Sequence, residues 1–163
     1  MNKRHLAFWP PKVPLELTLP ETSLWLNLEV SALRYPNKPC TVFYDSILTY
    51  AEFKQQAEQM AGFLQNVCGV RRGDRVAIYM QNCPQFPIAL YATLRANAVV
   101  VPVNPMNRAE EFSHYIADPD TSVIVCTADL VPIAAAAQAA LPEAKRARRV
   151  LVTRFTDPMP DGP

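Results

Sequence analysis

The chain has 163 residues, half of them hydrophobic, and its 16 Lys and Arg stand against 15 Asp and Glu for a net charge of +1. That length builds one ordinary domain with a real core and is too short for two well-built ones. The apolar, near-neutral composition describes a soluble globular chain and excludes a disordered tail or a nucleic-acid-binding surface.

Residues 1–21 are punctuated by Pro10, Pro11, Pro14 and Pro20, which argues against regular helix or a central strand there. Leu6, Phe8, Trp9, Leu15, Leu17 and Leu19 predict an extended arm laid over apolar surface; an arm that contacts a partner or a membrane is the alternative. A helix is predicted to start after Thr22 or Ser23 and to run to about Tyr35, where Pro36 stops it. "CTVFYDSILTY" reads as two short strands around a turn, a hairpin by pattern. Thr49-x-x-Glu52 is a capping-box signature and Gly69 a C-terminal stop. Between them Phe53, Ala57, Met60, Ala61, Leu64 and Val67 recur at helical spacing.

From Asp74 onward strands and helices alternate. "RVAIYM" (75–80), "AVVVPV" (98–103), "SVIVCT" (122–127) and "RVLVT" (149–153) read as strands. "PQFPIALYATLRAN" (84–97), "RAEEFSHYIAD" (108–118) and "LVPIAAAAQAAL" (130–141) read as the helices between them. This is the rhythm of βαβ units, so a parallel sheet with right-handed crossovers is expected. The continuously apolar strands predict cover on both faces. The chain thus divides into a proline-rich arm (1–21), an α/β unit (22–154) and a terminal linker (155–163).

Glycine decides what chemistry this sheet can carry. A Rossmann turn or a P-loop needs glycines where the backbone must approach phosphate closely. Gly62, Gly69, Gly73 and Gly162 fit neither motif, and the loop after the first parallel strand, "QNCPQF", has none. A self-sufficient dinucleotide or ATP site is not expected. Cys40, Cys68, Cys83 and Cys126 lie far apart and His5 and His114 stand alone, which argues against zinc and for free, buried thiols. Ser113 and His114 are neighbours on one predicted helix and point apart, so they do not read as a nucleophile and its base. Glu110 and Glu111 in a helix's first turn are explained by the helix dipole. The run "KRARR" (145–149) reads as a solvated loop.

One local feature remains. Asn107-x-x-Glu110 is predicted to cap a helix directly after "VNPM", with Arg108 in the first turn. Free N–H groups, the helix dipole and a guanidinium could together hold an anion such as phosphate, although an ordinary capped start explains the same residues. At the N-terminus, "MNKRHLAFWPPKVP" begins like a signal peptide, but its apolar run is only Leu6 to Trp9. No stretch is long enough to span a membrane. A cytoplasmic protein is expected.

Several motifs in order resemble the start of the adenylate-forming acyl-CoA synthetases of the AMP-binding superfamily. They are the L-T-Y-x-E-[LF] helix start (Leu48 to Phe53), G-V-x-x-G-D-R-V-A (Gly69 to Ala77), the N-C-P-[QE]-F loop (Asn82 to Phe86) and L-R-A-x-A-V-V-V-P-x-N-P (Leu94 to Pro105). The opening "WPPKVPLELTLPETSLWLNLEVSALRYPNKP" resembles the long-chain fatty acid branch. The resemblance implies an enzyme that uses ATP and Mg²⁺ to turn a carboxylic acid, here a fatty acid, into an acyl-adenylate and then passes it to coenzyme A. An aryl-acid ligase, another adenylating enzyme or a non-catalytic module are the rivals. In that family the phosphate-cradling loop and the catalytic lysine lie downstream of every residue present, so the chain is expected to be an inactive N-terminal piece of the large domain. No catalytic residue and no metal ligand is carried over. The residue after N-P, basic in some acyl-CoA ligases, is Met106 here, which leaves Arg108 as the candidate contact for the phosphates of coenzyme A. Asn97 stands where relatives often have glycine, and should adopt the left-handed conformation that ends a helix. No nucleic-acid partner is implied; peripheral membrane contact and a homodimer stay open.

Overall fold

The structure is a computed structural model and describes residues 4–158. Part of the expected linker, 159–163, therefore lies outside the described residues, as do residues 1–3. The arm begins with a 3-10 turn, Arg4–Phe8, which ends before the first proline. Most of its apolar side chains are not covered by the described residues: Phe8, Leu15, Leu17 and Leu19 are exposed, while Leu6 is half-buried. Apolar pattern alone cannot say which surface lies nearby to cover it.

Helix α1 (Leu24–Arg34) begins after Ser23 and ends at Tyr35, as the proline at 36 demands. Strands β1 (Pro39–Phe43) and β2 (Ser46–Thr49) pair antiparallel as the expected hairpin. Helix α2 (Tyr50–Asn66) starts with the predicted capping box: Thr49 N–H donates to Glu52 at 2.8 Å, and Glu52 N–H donates to the Thr49 hydroxyl at 3.3 Å. Two orphan donors of the first turn are thereby satisfied. Gly69 follows at φ 68°, the left-handed turn that closes the helix end, and Val70 N–H returns to the Leu64 carbonyl at 2.9 Å.

The alternation then follows: β3 (Arg75–Tyr79), α3 (Gln85–Arg95), β4 (Val99–Val103), α4 (Ala109–Ala117), β5 (Thr121–Thr127), α5 (Val131–Ala139) and β6 (Arg149–Thr153). The four strands form one parallel sheet in the order β4-β3-β5-β6. Asn97 sits at φ 57° between α3 and β4 and its carbonyl accepts the Gly73 N–H at 2.8 Å, so the expected left-handed turn is present.

The two-residue period of a strand splits the core into two layers. Val76, Ile78, Val123 and Val125 face α2 and α3, whereas Ala77, Tyr79, Ile124 and Cys126 face Phe112 and Ile116 of α4 and Ala134 of α5. Trp25 and Leu28 of α1 pack on Phe53 and Ile88 as a third layer. Each fully buried Val, Ile or Phe side chain stabilises the fold by roughly 1.5–3 kcal/mol. The expectation of cover on both faces holds for β3 and β5 and fails for the edges. In β4 and β6 several residues are open to solvent, among them Val99, Val150 and Val152. An edge strand lacks a neighbour on one side; uniform apolarity did not distinguish edge from centre.

The basic run is also more than a solvated loop. Arg146 donates to the carbonyls of Ala139, the last residue of α5, and of Leu141 just beyond it, Lys145 pairs with Asp120 at 2.5 Å, and Arg148 pairs with Asp74 at 2.9 Å. These contacts fasten the α5–β6 connection to the loops before β3 and β5.

Candidate functional site

In open α/β sheets ligands bind beyond the carboxyl ends of the strands, where successive crossovers leave in opposite directions. Here the chain goes from β3 to β4 on one side and then past β3 to β5 on the other. The reversal places the crevice between the ends of β3 and β5, bordered by the loops 80–84, 104–108 and 128–130. Thr127, the last residue of β5, is fully buried there, and its hydroxyl has no partner among the described residues.

Tyr79 governs the rim. It is fully buried, its ring lies 4.2 Å from that of Phe112, and its hydroxyl donates to the Asn107 carbonyl at 2.6 Å. Burial first, then the neighbouring Cys126, Asp129 and Glu111, push its phenol above the usual tyrosine range, so it remains a donor at neutral pH. Asn104 folds the same turn from the other side: its side-chain oxygen accepts from Met106 N–H and its carbonyl from Asn107 N–H, both at 3.0 Å.

This turn corrects the expected cap. The N-cap of α4 is Arg108, one residue later than the Asn107-x-x-Glu110 reading, and Arg108 N–H donates to the Glu111 carboxylate at 2.8 Å. Asn107 cannot cap because its backbone is already held by Asn104 and Tyr79. A phosphate cradle on this helix start is correspondingly poor, since Glu110 and Glu111 occupy the first turn and Glu111 takes the leading N–H. What the turn does offer is the Arg108 side chain, exposed and paired with no carboxylate among the described residues. Met106 beside it is 83 % exposed.

Other candidates separate. Ser113 commits its hydroxyl to the Glu110 carbonyl at 2.6 Å, and His114 is exposed on the same helix, so no nucleophile–base pair forms. All four cysteines are free; Cys68, Cys83 and Cys126 are buried and Cys40 is half-buried. Burial, aided by Asp129, pushes the Cys126 thiol up to about 11, and burial raises Cys40, Cys68 and Cys83 as well. These thiols are packing residues. Gly69 and Gly73 serve turns at the opposite, amino edge. Among the described residues the carboxyl edge has no glycine-rich loop, and no group of three His, Cys, Asp or Glu could hold a metal ion.

Sequence reasoning missed a clasp at this edge. Gln85 in the first turn of α3 donates to the Arg154 carbonyl at 2.9 Å, and Phe155 packs edge-on against Phe43 of the hairpin at 5.1 Å. Behind the clasp an open apolar groove of about 660 Å³ runs between Met60, Phe63, Ile88, Val125 and Leu151. A glutamine at the head of a largely apolar helix was the available signal. A second depression of about 600 Å³, between α1 and α2, is lined by Glu29, Lys54 and Glu58 and lies away from the crevice.

The recurring motifs fall on the joints of this architecture: the α2 cap, the loop into β3, the start of α3 and the turn after β4. A family described as AMP-binding enzyme matches residues 28–162. The chain belongs to that family. It is 40 % identical over 131 residues to a long-chain-fatty-acid–CoA ligase of Bacillus subtilis and 35 % identical over 126 residues to one of Yersinia pestis. Those alignments cover 80 % and 77 % of this chain but 23 % and 22 % of the ligases, so the chain spans about a quarter of their length. Among solved structures, the N-terminal domain of FACL13 from Mycobacterium tuberculosis matches with a TM-score of 0.75 and 26 % identity, over 87 % of this chain and 38 % of that one. The anthranilate CoA ligase AuaEII matches with a TM-score of 0.76 over 85 % of this chain and 27 % of that one; at 19 % identity the likeness is one of fold.

Proposed function

We propose that the chain is the N-terminal part of an ATP-dependent acyl-CoA synthetase that acts on a fatty acid. The carrying observation is the 40 % identity to a long-chain-fatty-acid–CoA ligase across 80 % of the chain. In this reading the whole enzyme joins a fatty acid carboxylate to ATP with Mg²⁺, releases pyrophosphate, and passes the acyl group to the thiol of coenzyme A. An aryl acid is the rival substrate, and its support is weaker because the aryl-acid ligase AuaEII shares the fold at only 19 % identity. A cytoplasmic enzyme is part of this proposal. No helix among the described residues is long and apolar enough to cross a membrane.

This segment supplies the sheet and one rim of the crevice, while the groups that hold ATP and activate the carboxylate come from elsewhere in the enzyme. Arg108, exposed on that rim, is assigned to the phosphates of coenzyme A. The test is pyrophosphate release by the full-length enzyme over saturated fatty acids of increasing length, with benzoate and anthranilate beside them. Preference for long-chain acids supports the reading; preference for the aryl acids overturns it. Purified residues 1–163 should form no acyl-adenylate, and steady formation by them would contradict the division of labour proposed here.

A further inference from the structure

The crevice rim is poor in cations. Across the loops 80–84, 104–108 and 128–130, Arg108 is the one basic residue. The charges around it are carboxylates: Asp129 in the third loop, and Glu110 and Glu111 in the first turn of α4. An anion that approaches this rim meets one guanidinium among three carboxylates. Where that guanidinium stands therefore decides whether the anion is attracted or repelled. A carboxylate is already within reach, because Glu111 takes the Arg108 backbone N–H at 2.8 Å. Yet no ion pair joins Glu111 to the Arg108 guanidinium among the described residues.

The turn that carries Arg108 is held from two sides. Asn104 accepts the N–H groups of Met106 and Asn107, both at 3.0 Å. Tyr79 donates its hydroxyl to the Asn107 carbonyl at 2.6 Å. That carbonyl lies in the planar peptide unit that joins Asn107 to Arg108, so its direction also sets that of the Arg108 N–H. Tyr79 is a firm anchor: its backbone pairs with Val103 on one side and Cys126 on the other, and its ring lies 4.2 Å from that of Phe112 in α4. The other buried residues of β3, Val76, Ala77 and Ile78, are apolar. Filling this space needs a ring but no oxygen, and a buried oxygen costs stability unless it is hydrogen-bonded. The hydroxyl thus has a task beyond packing.

We propose that Tyr79 is a positioning residue for coenzyme A. Through the Asn107 carbonyl it holds Arg108 at the rim, clear of Glu111, where the guanidinium receives a phosphate of the coenzyme. This rests on the reading of Arg108 as a contact of coenzyme A, and adds the residue that places it. Tyr79 itself does not touch the ligand; its effect passes through one peptide plane.

The test uses the full-length enzyme and two assays: ATP–pyrophosphate exchange with a fatty acid, which involves no coenzyme A, and thioester formation at varied coenzyme A. Tyr79→Phe keeps the buried ring. It should raise KM for coenzyme A about two- to fivefold while the exchange rate keeps its value. Adding Tyr79→Phe to Arg108→Ala should raise KM no further, since residues that act through one contact are not additive. Glu111→Gln should lower KM more in the Tyr79→Phe enzyme than in the unaltered one, because the carboxylate that captures the released guanidinium is gone. Equal losses in both assays, additive effects of the two variants, or no extra gain from Glu111→Gln would each reduce Tyr79 to a stabilising residue and overturn the inference. If Arg108→Ala raises KM and Tyr79→Phe does not, Arg108 stays in the coenzyme site and Tyr79 leaves it. If neither variant changes KM, the reading of Arg108 falls and the inference falls with it.

Discussion

The Tyr79 hydroxyl reaches the Asn107 carbonyl across 2.6 Å, so the last residue of a central strand holds the turn from which α4 starts. Because the Tyr79 ring is fully buried on Phe112, position and hydrogen bond can be separated by mutation. Tyr79→Phe keeps the ring and should cost about 1 kcal/mol, with the Asn107 carbonyl losing its partner. Tyr79→Ala also leaves a cavity and should cost about 3–5 kcal/mol. Urea midpoints compare the two; equal losses would mean that the hydroxyl contributes nothing beyond packing.

At Asn97 the backbone conformation, at φ 57°, sets the demand on the side chain. Asn97→Gly should be neutral within about 0.5 kcal/mol, whereas Asn97→Val should destabilise by roughly 1–2 kcal/mol, because a β-branched residue resists the left-handed region. Thermal midpoints of both variants give the answer. A tolerated valine would show that the turn relaxes.

Thr49 and Glu52 close the start of α2, and Thr49→Ala should cost about 1 kcal/mol. The pH dependence has a defined sign. Hydrogen bonds from the Thr49 backbone and hydroxyl hold the Glu52 carboxyl below its ordinary value, and Lys145 does the same to Asp120. Carboxylates depressed in the folded state contribute stability that is fully present above their unfolded values and is lost as pH falls through the folded ones. Stability should therefore decline below about pH 4.5. Glu52→Gln should flatten part of that decline in urea titrations at stepped pH; an unchanged acid limb would remove Glu52 from it.

Thiol labelling tests the burial of the cysteines. At pH 8 Cys40, half-buried on the hairpin, should react first, with Cys68 and Cys83 slower. Cys126, held as a neutral thiol by burial that lifts it to about 11, should react only as the sheet unfolds. Mass spectrometry of partially labelled chain gives the order, and early modification of Cys126 would contradict the core described here.

In the full-length enzyme, Arg108→Ala should raise KM for coenzyme A roughly fivefold and leave pyrophosphate release unchanged, as loss of one exposed charge contact of about 1 kcal/mol would. An unaltered KM removes Arg108 from the coenzyme site.

Local patterns are determined by neighbours a few residues away, and these were legible in the sequence: the α2 capping box, the left-handed turns at Gly69 and Asn97, and the βαβ rhythm from Arg75 to Thr153. The motif order likewise marked the family. What depends on residues distant in the chain was decided only by the fold. Strand order makes β4 and β6 edges although their sequences look as buried as those of β3 and β5. A hydroxyl 28 residues away takes the Asn107 carbonyl, and the cap moves to Arg108. The arm is apolar, yet Phe8, Leu15, Leu17 and Leu19 are left exposed among the described residues. Charge shows the same division: composition reports a net +1, and only the parallel strand starts, brought side by side, gather Arg71, Arg72, Arg75 and Arg149 on one edge. Periodicity reports which face of an element is apolar, and tertiary packing decides what that face meets.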